Sequence, residues 1–219
     1  MKRGAPVVAA IVAFLEVVCG AEAKAPPNGM DVCGKSGCVH LAVEQSEQLW
    51  TGSREVGRPL RVPSPFYVLS YRWTSTGAEQ RGYYVPAAKA IRLATEAGSH
   101  TPWVWLDGTA TAAIDRAVSG LAPYDVSPPT AVMVGEKDAR GPETYLRLLR
   151  GRSGGSASLG TMWISVTMRS DPPTPWTDGV SDIRLSAPGR SRLVLVDGWV
   201  HTVPWRLANL ARRGLPLMP

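Results

Sequence analysis

The chain has 219 residues, of which 44% are hydrophobic, enough for one ordinary domain or two small ones with a real core. Its formal net charge of +6 is spread along the sequence, and the one basic cluster is Arg206, Arg212 and Arg213 near the C-terminus. That distribution excludes the concentrated stripe of a nucleic-acid footprint, so no nucleic-acid partner is expected.

Lys2 and Arg3 precede an apolar run from Ala5 to Leu15, which Glu16 breaks before Val17 to Ala21 resume it. A spanning helix takes roughly 20 apolar residues, so this shorter, carboxylate-bearing run has the form of a secretory signal. Ala21-Glu22-Ala23 supplies a small-residue cleavage site. The later alternative, after Ala25, would leave Pro26 as a rigid new N-terminus. Residues 1–23 are therefore expected to be a signal peptide cleaved after Ala23, with the protein working outside the cytoplasm. An uncleaved N-terminal anchor is the alternative, and membrane contact is expected only in that case.

Cys33-Gly34-Lys35-Ser36-Gly37-Cys38 places two cysteines across a four-residue loop. In an oxidising compartment this spacing predicts a Cys33–Cys38 disulfide closing a tight turn. A metal is not expected, because two thiolates need two further ligands and His40 is the one candidate nearby. No cofactor is expected either. Gly29 to Ser36 also matches the phosphate-loop pattern G-x4-G-K-S, but its context is wrong. Ala25-Pro26-Pro27 precedes it where a buried strand is needed, and the alternating Val39-His40-Leu41-Ala42-Val43 follows where a helix is needed.

Further along, Val39 to Glu44 is expected as a strand and the polar stretch from Gln45 to Pro65 as loop. Phe66 to Trp73, rich in aromatic and β-branched residues, predicts a strand, and so do Tyr83 to Val85, Ala90 to Ala94 and Trp103 to Leu106. The period then changes: Ala113, Ile114, Ala117, Val118 and Leu121 form a helical stripe within Thr109 to Leu121, capped by Thr109 or Thr111 after the Asp107-Gly108 turn. Ala131 to Val134 is a short strand, and Pro142 opens a helix to Arg150 with Tyr145, Leu146 and Leu149 on its apolar face.

Gly151-Arg152-Ser153-Gly154-Gly155 matches the nucleophile elbow G-x-S-x-G, with Asp178, Asp182 or Asp197 and then His201 following in the order such hydrolases use. An elbow joins a strand to a helix; here a helix precedes it and a flexible Ser/Gly-rich loop follows. Met162 to Met168, Ser181 to Ser186, Arg192 to Val196 and Trp199 to Val203 are the last strands. A helix from Pro204 to Arg213, stopped by Gly214, ends the chain.

Two stretches share an order of parts. Phe66–Arg72 corresponds to Met162–Arg169, Ala90–Leu93 to Asp182–Leu185, Trp105–Gly108 to Leu195–Gly198, and Ser119-Gly120-Leu121 to Arg213-Gly214-Leu215. This predicts two β-β-β-α units, at 66–121 and 161–219. Residues 24–65 form an N-terminal disulfide turn, strand and loop, residues 122–160 a connector, and 24–219 one compact domain. The expected fold class is α+β, with antiparallel sheet packed by two or three helices on one face.

Function is less legible. Eight Trp against two Phe put Trp and Tyr in the core, and they leave Trp176, in the proline-rich run Asp171 to Asp178, as the best exposed aromatic. Trp176 and Asp178 are thus the candidate binding residues, for a cell-wall polymer, carbohydrate or another protein. The favoured expectation is a non-catalytic extracytoplasmic binding or interaction module. The alternative is a hydrolase of wall or extracellular polymers, which requires at least two of His40, His100, Ser153, Asp178, Asp182 and His201 to converge.

Overall fold

The computed structural model describes residues 27–56, 62–73, 79–94, 103–153, 161–177, 183–187, 192–197 and 199–218. The chain opens with a hairpin, β1 (Pro27–Gly34) and β2 (Gly37–Leu41), then α1 (Val43–Thr51) and β3 (Ser53–Val56). A meander follows: β4 (Tyr67–Trp73), β5 (Glu79–Val85), β6 (Ala90–Ala94) and β7 (Trp103–Leu106), ending in α2 (Gly108–Ala117). These strands form one antiparallel sheet in the order β2-β1-β4-β5-β6-β7-β3.

Strand alternation puts Met30, Val32, Tyr67, Leu69, Tyr71, Tyr84 and Ile91 on one face. There they bury Leu49 of α1 and Ala110 and Ile114 of α2 in a first core. Asp107, rather than either threonine, caps α2: its backbone is extended and its Oδ1 accepts from the Ala110 N–H at 2.8 Å.

The second half repeats this plan. It comprises β8 (Ala131–Val134), β9 (Lys137–Asp138), a 3-10 helix at Pro142–Leu149 and β10 (Arg152–Ser153). Then come β11 (Trp163–Arg169), β12 (Ile183–Ser186), β13 (Leu193–Val196), β14 (Trp199–Thr202) and α3 (Trp205–Arg212). The sheet order β9-β8-β11-β12-β13-β14-β10 matches the first sheet position for position. Val132, Val166, Met168, Leu185 and Val194 cover the inner face, against Tyr145, Leu148 and Leu149 of the 3-10 helix and Ala208 and Ala211 of α3. The α+β class with helices on one face of antiparallel sheet stands, and the two sheets are repeated units.

Other expectations change as well. The repeat is larger than β-β-β-α: each unit begins with a hairpin, a helix and an edge strand, so the 122–160 segment is no connector but supplies β8, β9 and β10. The counterpart of β6 is β13, so Ala90–Leu93 does not correspond to Asp182–Leu185, and the counterpart of β7 is β14, which matches Trp103-Val104 to Trp199-Val200 instead of pairing Trp105–Gly108 with Leu195–Gly198. Residues 45–65 are not all loop, since α1 and β3 lie there.

The outer face of the first sheet is partly covered by the second half. Phe66, Tyr83, Val85, Ala90 and Trp103 all join the second core. Trp103 packs on Trp176 at 6.2 Å between ring centroids, and its Nε1–H donates to Asp197 Oδ2 at 3.1 Å. The Cys33–Cys38 disulfide is closed, as expected, between residues directly opposite each other in the β1–β2 hairpin. A closed disulfide fits an oxidising compartment. The expected signal segment, 1–23, lies outside the described residues, among which no helix is long and apolar enough to cross a membrane.

Candidate functional site

Where the second half stops, no other described residue covers the outer face of the first sheet, and strand register decides what stands there. Asp31 is opposite His40 on one side and Ser70 on the other, and Ser70 is opposite Arg81. Residues opposite one another point to the same face, so β2, β1, β4 and β5 present His40, Asp31, Ser70 and Arg81 in one row. Arg72 and Glu79, also opposite each other, extend the polar surface. Two residues the other way along the strands is a row of Cys33, Val68 and Tyr83, about 7 Å off at the usual strand rise.

Two hollows share this floor. The first is a groove of about 400 Å³ lined by Asn28, Asp31, His40, Ser70, Arg72 and Glu79. Its polar groups are already oriented. His40 Nδ1–H donates to Asp31 Oδ1 at 2.8 Å, Ser70 Oγ–H donates to Glu79 Oε1 at 2.8 Å, and Arg72 lies 3.8 Å from Glu79. The His40 ring rests over Gly29, where φ is +92° and an added Cβ would come within 3.0 Å of the imidazole, so glycine is required there twice over. The second hollow, about 280 Å³, is lined by Cys33, Val68 and Tyr83 from the floor and by Phe66, Tyr124, Pro172 and Pro173. Arg81 stands at its side.

The groove sets one hydroxyl beside a carboxylate and the imidazole beside another. A serine nucleophile needs a base at hydrogen-bonding distance. Here Asp31 lies between His40 and Ser70 in the row, and the Ser70 proton is directed to Glu79. Among the described residues no group of three or more His, Cys, Asp or Glu is arranged to hold a metal ion.

Of the residues singled out from the sequence, His40 lines this groove, and Trp176, Ser153 and His201 lie elsewhere. Trp176 is 2% exposed, packed against Trp103 at the junction of the halves, so the surface exposure that recommended it is absent. In this proline-rich segment the buried Thr177 hydroxyl hydrogen-bonds to the hydroxyls of both Ser170 and Thr174. Asp178, Asp182 and His100 lie outside the described residues. His201 and Ser153 are opposite each other on β14 and β10, but His201 is 3% exposed and its Nε2–H donates to the Leu148 carbonyl at 2.7 Å. Gly151, the first residue of the elbow pattern, is a packing glycine: an added Cβ would lie 1.8 Å from His201 Cδ2. His40, on the edge of the other sheet, shares no site with Ser153 or His201. The phosphate-loop match falls on β1 and its hairpin turn, with no helix after it.

Asp31, Ser70, Arg72 and Glu79 were missed by sequence reasoning. Their signal was strand alternation, Ser70 and Arg72 between Leu69, Tyr71 and Trp73, which marks one polar face without saying whether it is empty or covered. Compared with known proteins, the chain matches no family model, no curated sequence and no solved structure.

Proposed function

We propose that the protein is an exported, non-catalytic binding module that holds a hydroxyl-rich polymer, a cell-wall glycan or other extracellular carbohydrate, in the polar groove on the first sheet. The observation that carries this reading is the groove's lining. Carboxylate, imidazole, amide, hydroxyl and guanidinium groups stand side by side on the strands, and His40, Asp31, Ser70, Glu79 and Arg72 are each oriented by a neighbour. Such a surface offers paired donors and acceptors to vicinal hydroxyls, and its one imidazole is turned to Asp31 rather than to Ser70. The closed disulfide supports an address outside the cytoplasm.

Calorimetric titration of the folded chain with purified wall-glycan oligosaccharides tests it. Saturable binding is expected, weakened about tenfold by His40→Ala or Glu79→Gln, the loss of roughly one hydrogen bond to a charged partner. Trp176→Ala, if it folds, removes no direct ligand contact. Unchanged affinity in both groove variants would remove the groove from the reading.

A second reading, a hydrolase of the same polymers, draws on one observation: Asp31 and Glu79 are two carboxylates in one groove. Glycosidases flank the scissile bond with such a pair, but their general acid works from an apolar enclosure. Here the side chains are 56% and 64% exposed; Asp31 accepts from His40, and Glu79 accepts from Ser70 and is paired with Arg72. New reducing ends formed by the wild-type chain and not by Glu79→Gln would replace binding with hydrolysis.

A further inference from the structure

The apolar hollow beside the groove is a different kind of site, and it does not depend on the reading above. Its floor is Val68 and Tyr83, its walls Phe66 and Tyr124, and its rim the rigid Pro172-Pro173 pair contributed by the second half. It therefore lies at the junction of the two repeated units, where small-molecule sites are common. Phe66 and Tyr124 are locked by main-chain hydrogen bonds in both directions, at 3.0 and 2.8 Å, and their rings meet at 5.8 Å. The cavity is thus formed before any ligand arrives.

One charge faces it. Arg81 lines the hollow, is exposed, and has no ion-pair or hydrogen-bond partner among the described residues. The nearest carboxylate on its own strand and face is Glu79, which is taken up by Ser70 and Arg72. Lys35 and Asp125, next to Tyr124 in sequence, are paired with each other. A cation without a partner among the described residues, beside an aromatic-walled cavity, is complementary to a ligand with an apolar body and a single negative head. The flat fork of a guanidinium fits a carboxylate with two parallel hydrogen bonds.

We propose that this hollow binds a small amphipathic anion, an aromatic or branched aliphatic carboxylic acid, with Arg81 holding the carboxylate and Phe66, Tyr83 and Tyr124 enclosing the body. The cavity is near the lower end of the usual size for ligand sites, so the body it admits is a single ring or a short branched chain.

The test titrates the folded, disulfide-closed chain with 3-phenylpropionate and, separately, with its neutral amide, followed by amide and arginine Nε–H resonances in NMR. Saturable shifts are expected at Val68, Arg81, Tyr83 and Tyr124, with the amide at least tenfold weaker than the carboxylate. Arg81→Gln, an exposed change that leaves the fold intact, should abolish that difference. Val68→Trp should fill the hollow and remove binding of both probes. If Val68→Trp does not fold, the Arg81→Gln comparison decides alone. His40→Ala, which alters only the polar groove, should leave these affinities unchanged. Equal affinity for carboxylate and amide, persistence of the preference in Arg81→Gln, or no saturable binding at millimolar concentration would each overturn the proposal.

Discussion

Arg92 has no exposed surface, and its Nε lies 3.7 Å from Asp197 Oδ2, whose own side chain is 5% exposed. The same carboxylate oxygen accepts from Trp103 Nε1–H, and the Arg92 guanidinium stands 6.0 Å from the centre of that indole ring. A buried ion pair contributes little net stability when intact, because desolvation offsets the attraction; removing one partner strands the other charge in a dry site. Asp197→Ala is therefore expected to destabilise the fold by about 3–5 kcal/mol, read from urea midpoints. Asp197→Asn should be milder. Asparagine tolerates the left-handed backbone at φ 44° and keeps an acceptor for Trp103, although it loses the charge. A loss below about 1 kcal/mol in Asp197→Ala would mean that the attraction across this junction is not what neutralises Arg92.

The β1–β2 hairpin shows what a covalent staple adds to an element that is already paired. β1 lies between β2 and β4 and has main-chain partners on both sides. The loop closed by Cys33–Cys38 is short, so the double replacement Cys33→Ser with Cys38→Ser should lower stability by about 2 kcal/mol. Far-UV circular dichroism should be unchanged at room temperature; loss of the sheet signal would show that the disulfide is needed to form the hairpin. The same hairpin marks how far the sequence could be read. Val32 and Met30 alternate with Cys33 and Asp31 as a strand requires, but Pro26 and Pro27 argue against an inner strand. The structure accommodates Pro27 through an irregularity in the β1–β4 register between Pro27 and Met30, which local pattern does not reveal. α1 was missed for a related reason. Its buried residues are only Ser46 and Leu49, and its first residue follows Ala42, whose N–H is satisfied by the Gln45 side chain instead of a capping hydroxyl. β4, β8 and β11, by contrast, carry enough alternating apolar residues to declare themselves. The open groove was the least legible feature, because which part of a sheet face stays uncovered depends on how the second half docks.

At the scale of the molecule, two copies of one topology do not give two independent domains. The first unit buries one sheet face under its own helices, and its outer face supplies Phe66, Tyr83, Val85, Ala90 and Trp103 to the second unit's core. Separating the halves would expose this apolar surface, so a single cooperative transition is expected. Buried tyrosines allow that to be tested from both cores at once. Tyr71 and Tyr84 belong to the first core, and burial, aided in Tyr84 by its hydrogen bond to Asp115, raises both phenols far above the ordinary value of 10.0. Tyr145, in the second core, donates to the Leu215 carbonyl, and burial pushes it up to about 12. A phenol raised in the folded state keeps its proton where the unfolded chain has lost it. Its contribution is therefore complete below pH 10 and shrinks as pH rises through the folded value. Alkaline unfolding should begin above pH 10, and the tyrosinate absorbance of both cores should rise in the same step as the change in tryptophan fluorescence from the Trp103–Trp176 junction. Two resolved steps, with tyrosinate appearing in one core before the junction signal changes, would show instead that each repeat holds its own fold and that the shared core is a contact between finished domains.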